Sequence, residues 1–242
     1  MKINLMLKYF ISIIIFLSVN VTIGNVKIAN DTLEKFGIRA GLDLNKIIRS
    51  ATDEDYSGFS LSGDIRLKKS FYVFTDIGNE EKDINSNYLN SSVKGTYVKF
   101  GVNFKLNNDI RTQNIVYSGL SVGYSNFDQN INSYTIYNIN SIYWGESIIN
   151  SPINLSNLNA IWIEFIFGMK TEILNNLFLG FELQLKNVIK QKNIQNITNF
   201  YIPGFNRTYD SSGLGAGFCY TVSYLIPFVK KLILSLFFFE PG

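Results

Sequence analysis

From Leu177 onward the odd positions read Leu177, Leu179, Phe181, Leu183 and Leu185, and the even ones after Phe178 read Gly180, Glu182, Gln184 and Lys186. A period of two with one apolar and one polar side is the pattern of a strand. Just upstream, Ile161, Ile163, Phe165, Phe167 and Met169 alternate with Trp162, Glu164, Ile166, Gly168 and Lys170. Between the two runs, Ile173 to Asn176 holds Asn175 and Asn176, which tolerate the left-handed backbone of a tight hairpin. Two long antiparallel strands are therefore predicted here.

The same alternation recurs along the chain. Phe36, Ile38, Ala40, Leu42 and Leu44 form one apolar row, with Arg39 and Asp43 opposite, and Lys46 to Asp55 reads as a polar loop. A second strand carries Phe59, Leu61, Ile65 and Leu67 against Ser60, Ser62, Asp64 and Arg66. Lys68 to Ser70 leaves room for a tight turn, and a third strand places Tyr72, Phe74, Asp76 and Gly78 on its inner side. Asn79 to Ser92 reads as a longer loop. Strands follow around Val98 to Phe104 and Val116 to Tyr124, with a short turn near Asn107 to Gln113. The longest connection, about Phe127 to Asn157, contains alternating pieces that look like strand extensions. Another loop runs from about Ile189 to Ser211, and an eighth strand covers Gly213 to Tyr224.

Glycine decides which side faces out. Gly37, Gly41, Gly78, Gly101, Gly119, Gly123, Gly168, Gly180, Gly213, Gly215 and Gly217 share the polar side. Positions without a side chain belong on the crowded concave surface of a small barrel. The polar rows therefore point inward and the Leu, Ile, Val and Phe rows outward, where only lipid accepts them. The predicted fold is all-β: an antiparallel up-and-down transmembrane β-barrel of about eight strands. Connections that alternate long and short fit an outer-membrane barrel, and an even strand number puts both termini on the periplasmic side.

The first residues set the address. Lys2 and Lys8 precede the apolar run Tyr9 to Val19, and Thr22-Ile23-Gly24 follows as a small-residue cleavage site, so residues 1–24 read as a signal peptide. A short segment, 25–34, then leads to a barrel at 35–229, and the apolar residues 230–242 form a tail without clean alternation. Loss of the leader lowers the formal net charge from +3 to +1, which gives no reason to expect a nucleic-acid partner. The single cysteine, Cys219, excludes an intramolecular disulfide. The chain has no histidine, which removes Ser-His and Cys-His nucleophilic sites and His-ligated metal centres. The expectation is a protein that is not an enzyme and needs no cofactor or metal.

Two groups of residues stand out. Arg39, Asp43, Asp64, Arg66, Asp76, Lys99, Glu164, Lys170, Glu182 and Lys186 all fall on the inward parity, in balanced signs. In a barrel this small they form either a closed, salt-bridged plug or the lining of a narrow solute path. The second group is Tyr201, Pro203, Gly204, Phe205, Asn206, Arg207 and Tyr209, an aromatic stretch in an expected external loop. It reads either as a docking surface for a partner or lipid headgroup, or as rings packed on the long third connection with Tyr134, Tyr143 and Trp144. The acidic runs Asp53-Glu54-Asp55 and Glu80-Glu81-Lys82-Asp83 read as solvated faces, with a bridging divalent cation as the alternative.

The segments Phe36 to Asp43, Gly78 to Glu81, Ser133 to Tyr137, Tyr201 to Tyr209 and Tyr224 to Pro227 resemble an uncharacterised family, a domain of unknown function, of small Gram-negative outer-membrane β-barrels. In general architecture the chain is similar to the OmpA/OmpX type of barrel. The resemblance implies fold and location and carries no catalytic residue. The functional expectation is a structural scaffold or surface-interaction element in contact with outer-membrane lipid, with a protein partner in an envelope complex. A narrow channel and an interfacial lipid-modifying enzyme are the alternatives.

Overall fold

The computed structural model describes residues 37–68, 70–107, 113–136, 147–194, 197–207 and 212–227. The leader, the 25–34 segment and the apolar tail lie outside the described residues, as do Tyr137, Tyr143, Trp144 and Tyr209. In chain order the elements are β1 (Gly37–Asp43), α1 (Leu44–Thr52), β2 (Tyr56–Lys68), β3 (Phe71–Asn85), β4 (Leu89–Lys105), β5 (Ile115–Ile136) and β6 (Ser147–Ile149). They continue with β7 (Ile153–Leu174), β8 (Leu177–Gln191), β9 (Tyr201–Ile202), β10 (Asn206–Arg207) and β11 (Leu214–Pro227).

Eight of these strands close a ring. The antiparallel order runs β1, β2, β3, β4, β5, β7, β8, β11, and β11 pairs back onto β1 from Gly37↔Pro227 to Asp43↔Thr221. Closure satisfies the backbone polar groups that an open sheet would leave at its edges. The predicted hairpin is present: β7 and β8 pair through Leu174↔Leu177 around Asn175 and Asn176, and Asn176 takes the left-handed backbone at φ 65°. Among the described residues no helix is long and apolar enough to cross a membrane, so any crossing is made by strands.

The face assignment drawn from glycine holds in the structure. Leu61 is 55% exposed, Phe100 61%, Leu120 57% and Leu185 64%, whereas Arg39, Asp64, Lys99, Glu164 and Lys186 are buried. A closed ring that shows unbroken apolar rows outside and ionised groups inside is built for a lipid surrounding. The interior is less uniformly polar than the alternation implied. Val93, Tyr97, Phe127, Leu158, Trp162 and Phe205 pack into one buried cluster, and Tyr72, Ile115, Tyr117 and Ile166 into another.

Several predicted loops are structured. Lys46 to Asp55 was expected to be a polar loop and Leu44 the end of the first strand; instead Leu44–Thr52 is helical. Asp43 caps it, accepting from the Asn45 N–H at 2.9 Å, and Leu44, Ile47, Ile48 and Ala51 fall at i, i+3, i+4 and i+7. The expected loop Asn79 to Ser92 is mostly strand, since β3 and β4 stay paired out to Asn85↔Asn90. Likewise β5 and β7 reach 22 residues each, about twice the 9–11 that a tilted strand needs to span a bilayer. The outer row of β5 changes to Asn126, Asp128, Asn130 and Asn132, all exposed. The strands thus continue past the apolar belt as a rigid wall.

Candidate functional site

Three carboxylates organise the lumen. Glu164, on β7, is almost wholly buried and receives Lys99 at 3.0 Å and Lys186 at 3.6 Å, the Trp162 indole N–H at 2.7 Å and the Ser121 hydroxyl at 3.2 Å. Strands β4, β5, β7 and β8 are thereby tied through one group. Asp64, on β2, holds Arg39 of β1 at 3.1 Å and Lys170 of β7 at 2.7 Å. The Arg39 guanidinium also lies over the Phe178 ring at 4.9 Å and the Tyr72 ring at 5.5 Å. Glu80, on β3, pairs with Lys46 of α1 and accepts from the Tyr201 hydroxyl at 2.6 Å and the Gly204 N–H at 3.0 Å. Buried carboxylates with this many donors are well compensated, while removal of any one would leave its cations stranded.

The ten inward charges expected from the sequence therefore divide. Arg39, Asp64 and Lys170 meet, as do Lys99, Glu164 and Lys186. Arg66 is buried, donating to the Lys68 carbonyl at 3.3 Å beside the Tyr72 ring. Glu182 accepts from Tyr117 and Gln184. Asp43, Asp76 and Glu182 have no ammonium or guanidinium of the described residues within ion-pair distance.

The aromatic stretch lies elsewhere than expected. Tyr201, Ile202, Pro203, Gly204 and Phe205 are all buried, and they sit inside the barrel, where the sequence reading placed an external loop. Phe205 meets the Trp162 ring edge-on at 5.9 Å, and Lys186 donates to the Gly204 carbonyl at 2.9 Å. Gly204 is obligatory: its φ is 81°, and a Cβ there would lie 2.5 Å from the Tyr97 ring. The rings pack on Tyr97 and Trp162 of the wall. Asn206 is half-buried and accepts from the Tyr201 hydroxyl at 3.2 Å, and Arg207 pairs with Tyr201 through the backbone.

Sequence reasoning missed Lys46 and Glu80, the pair that fastens this inserted segment. Glu80 has the inward parity of β3, a signal hidden by reading a loop from Asn79. Of the acidic runs, Asp53 pairs with Arg49 at 3.4 Å and Lys82 at 3.1 Å. Its slight burial raises the carboxyl, but the Lys82 hydrogen bond and charge, with help from Arg49, outweigh that and hold it below the usual Asp range. Among the described residues no group of three acidic or thiol side chains is placed to hold a metal ion.

Fold and lumen together define an inside-out β-barrel of eight strands. The chain belongs to the family described as Domain of unknown function (DUF6048), which matches residues 6–231. Among solved structures it is similar to Ail, the attachment invasion locus protein of Yersinia pestis, at 10% identity and a TM-score of 0.38, over 79% of this chain and 94% of that one. A comparison with curated proteins gave no match.

Proposed function

We propose that this protein is a non-enzymatic barrel of the outer membrane, with both termini periplasmic, that serves as a scaffold or surface-interaction element within an envelope complex. The observation that carries this reading is the obstructed bore. The Tyr201–Phe205 segment is tied to Glu80 and Lys186, and the Glu164 and Asp64 clusters cross-link the walls beside it. A barrel whose interior is spent on its own packing works through its exterior. The rigid wall of β5 and β7 beyond the apolar belt, with Asn126, Asp128 and Asn130 exposed, is the surface we assign to a protein partner. Purification from native membranes should yield a stoichiometric partner that Asn126→Arg with Asn130→Arg releases. Planar-bilayer recording supplies the opposing result: a stable open conductance in the unaltered protein would replace the scaffold by a solute channel.

A further inference from the structure

The lumen is not filled everywhere. A cavity of about 80 Å³, room for several waters or the head of a small amine, lies beneath Gly204 and Asn206. Among its lining residues are the three carboxylates without a cationic partner: Asp43, Asp76 and Glu182. Lys99 lies directly across the ladder from Asp76, yet it reaches over the barrel to Glu164 instead. The remaining ion-paired lumen bases are likewise engaged, Lys46 by Glu80, Lys186 by Glu164, and Arg39 and Lys170 by Asp64. One further group faces the same cavity unsatisfied. The hydroxyl of Thr221, a residue 5% exposed, has no hydrogen-bond partner among the described residues, and neither does one Asp76 carboxylate oxygen.

We propose that this cavity binds an organic ammonium ion. A buried carboxylate oxygen and a buried hydroxyl without partners are costly, and a group that brings several N–H donors and a positive charge satisfies both deficits. The carboxylates are spread around the cavity and do not converge on a point, which suits the several hydrogens of an ammonium better than a bare metal ion. One side of the cavity is also the weakest part of the wall. The β1 ladder to β11 ends at Thr221, while β11 runs on to Leu214, and α1 fills the space. That helix is joined to β2 through Ser50, whose hydroxyl accepts from the Gly58 N–H at 2.8 Å while its own hydrogen goes to the Lys46 carbonyl at 2.8 Å, and the Tyr56 N–H donates to the Asp53 carbonyl at 3.1 Å. Toward β11 the hydrogen bond is Asn45 to the Phe218 carbonyl at 3.3 Å, and both residues line the cavity. An ammonium carried by a lipid headgroup would pass through this seam, whereas a soluble amine needs no lipid phase.

The test uses the full chain folded in detergent micelles, with n-butylammonium chloride as the probe and n-butanol as its uncharged match, followed by calorimetry. We expect saturable binding of the ammonium only, weakened at least tenfold by Asp76→Asn and by Glu182→Gln. Glu81→Gln, at the exposed pair with Lys94, should leave it unchanged. Asp43 is spared because it caps α1. Gel mobility without heating checks that each variant is folded. In vesicles, phosphatidylethanolamine that displaces the probe where phosphatidylglycerol does not identifies a lipid amine, and displacement by neither identifies a soluble one. Absence of saturable ammonium binding by the folded protein, equal binding of butanol, or affinity in both carboxylate variants undiminished from that of the unaltered protein would overturn the site.

Discussion

The wall of this barrel is built in two ways. From β3 through β7 it is a continuous backbone ladder, fifteen register pairs between β3 and β4 alone, and between β2 and β11 part of it is the nine-residue helix α1. Both stretches obey the same inside-out rule. The strands do so with a period of two; the helix does so with 3.6, turning Lys46 toward Glu80 while Ile47 and Ile48 stay exposed. They differ in what holds them. A ladder spends main-chain hydrogen bonds at every second residue, whereas the helix depends on a few side chains. A substitution should therefore be costly in the ladder region only if it strands a charge or offends the lipid, and in the helix region whenever it removes one of those few contacts.

The largest effect expected on this contrast is Glu164→Ala, which strands Lys99 and Lys186 in the lumen and should cost about 3–5 kcal/mol in reversible urea unfolding from lipid vesicles. Next comes Leu183→Lys on the lipid side, at about 2–4 kcal/mol near mid-bilayer. Gln184→Lys, one residue on and facing the lumen, should be milder in the same assay, and equal losses would break the face assignment. In the helix, Ser50→Ala leaves the Gly58 N–H without its acceptor and should cost about 1–3 kcal/mol. Asn45→Ala removes the contact to β11 and should cost about 0.5–1.5 kcal/mol. Hydrogen exchange should then quicken in Leu214 to Tyr220 and not in β4 or β5. The smallest effect concerns acid. Because Asp53 is held below the usual range, its pairs stabilise the α1–β2 junction above about pH 4 and that contribution is lost as pH falls further. Asp53→Asn should flatten this part of the acid-unfolding curve.

Much of the ring was legible in the chain because alternation and glycine placement are local signals that the barrel enforces at every rung. Leu183 and Gln184 could be assigned to opposite faces without knowing their neighbours. The helix was also written in the sequence, in Asp43 followed by Leu44, Ile47, Ile48 and Ala51, but a nine-residue run flanked by strands is easily absorbed into a loop. The inserted Tyr201–Phe205 segment was not legible as such. Its burial depends on space left opposite it by residues far away in sequence: Cβ atoms at Gly215 and Gly123 would fall on the Phe205 and Trp162 rings respectively. The pairing of Lys99 with Glu164 rather than Asp76 is equally a property of the closed ring. Parity says which residues face inward; the curvature of the wall says which of them meet.

The adjacency of β1 and β11 has a consequence for how such a molecule must be made. The strand that seals the circle is the last of the eight in chain order, and the strand it seals against is the first. A nascent chain stopped before Leu214 would expose β8 on one flank and β1 on the other, two raw margins with nothing to zip to. Completion is therefore a threshold, crossed only when the fourteen residues of β11 arrive.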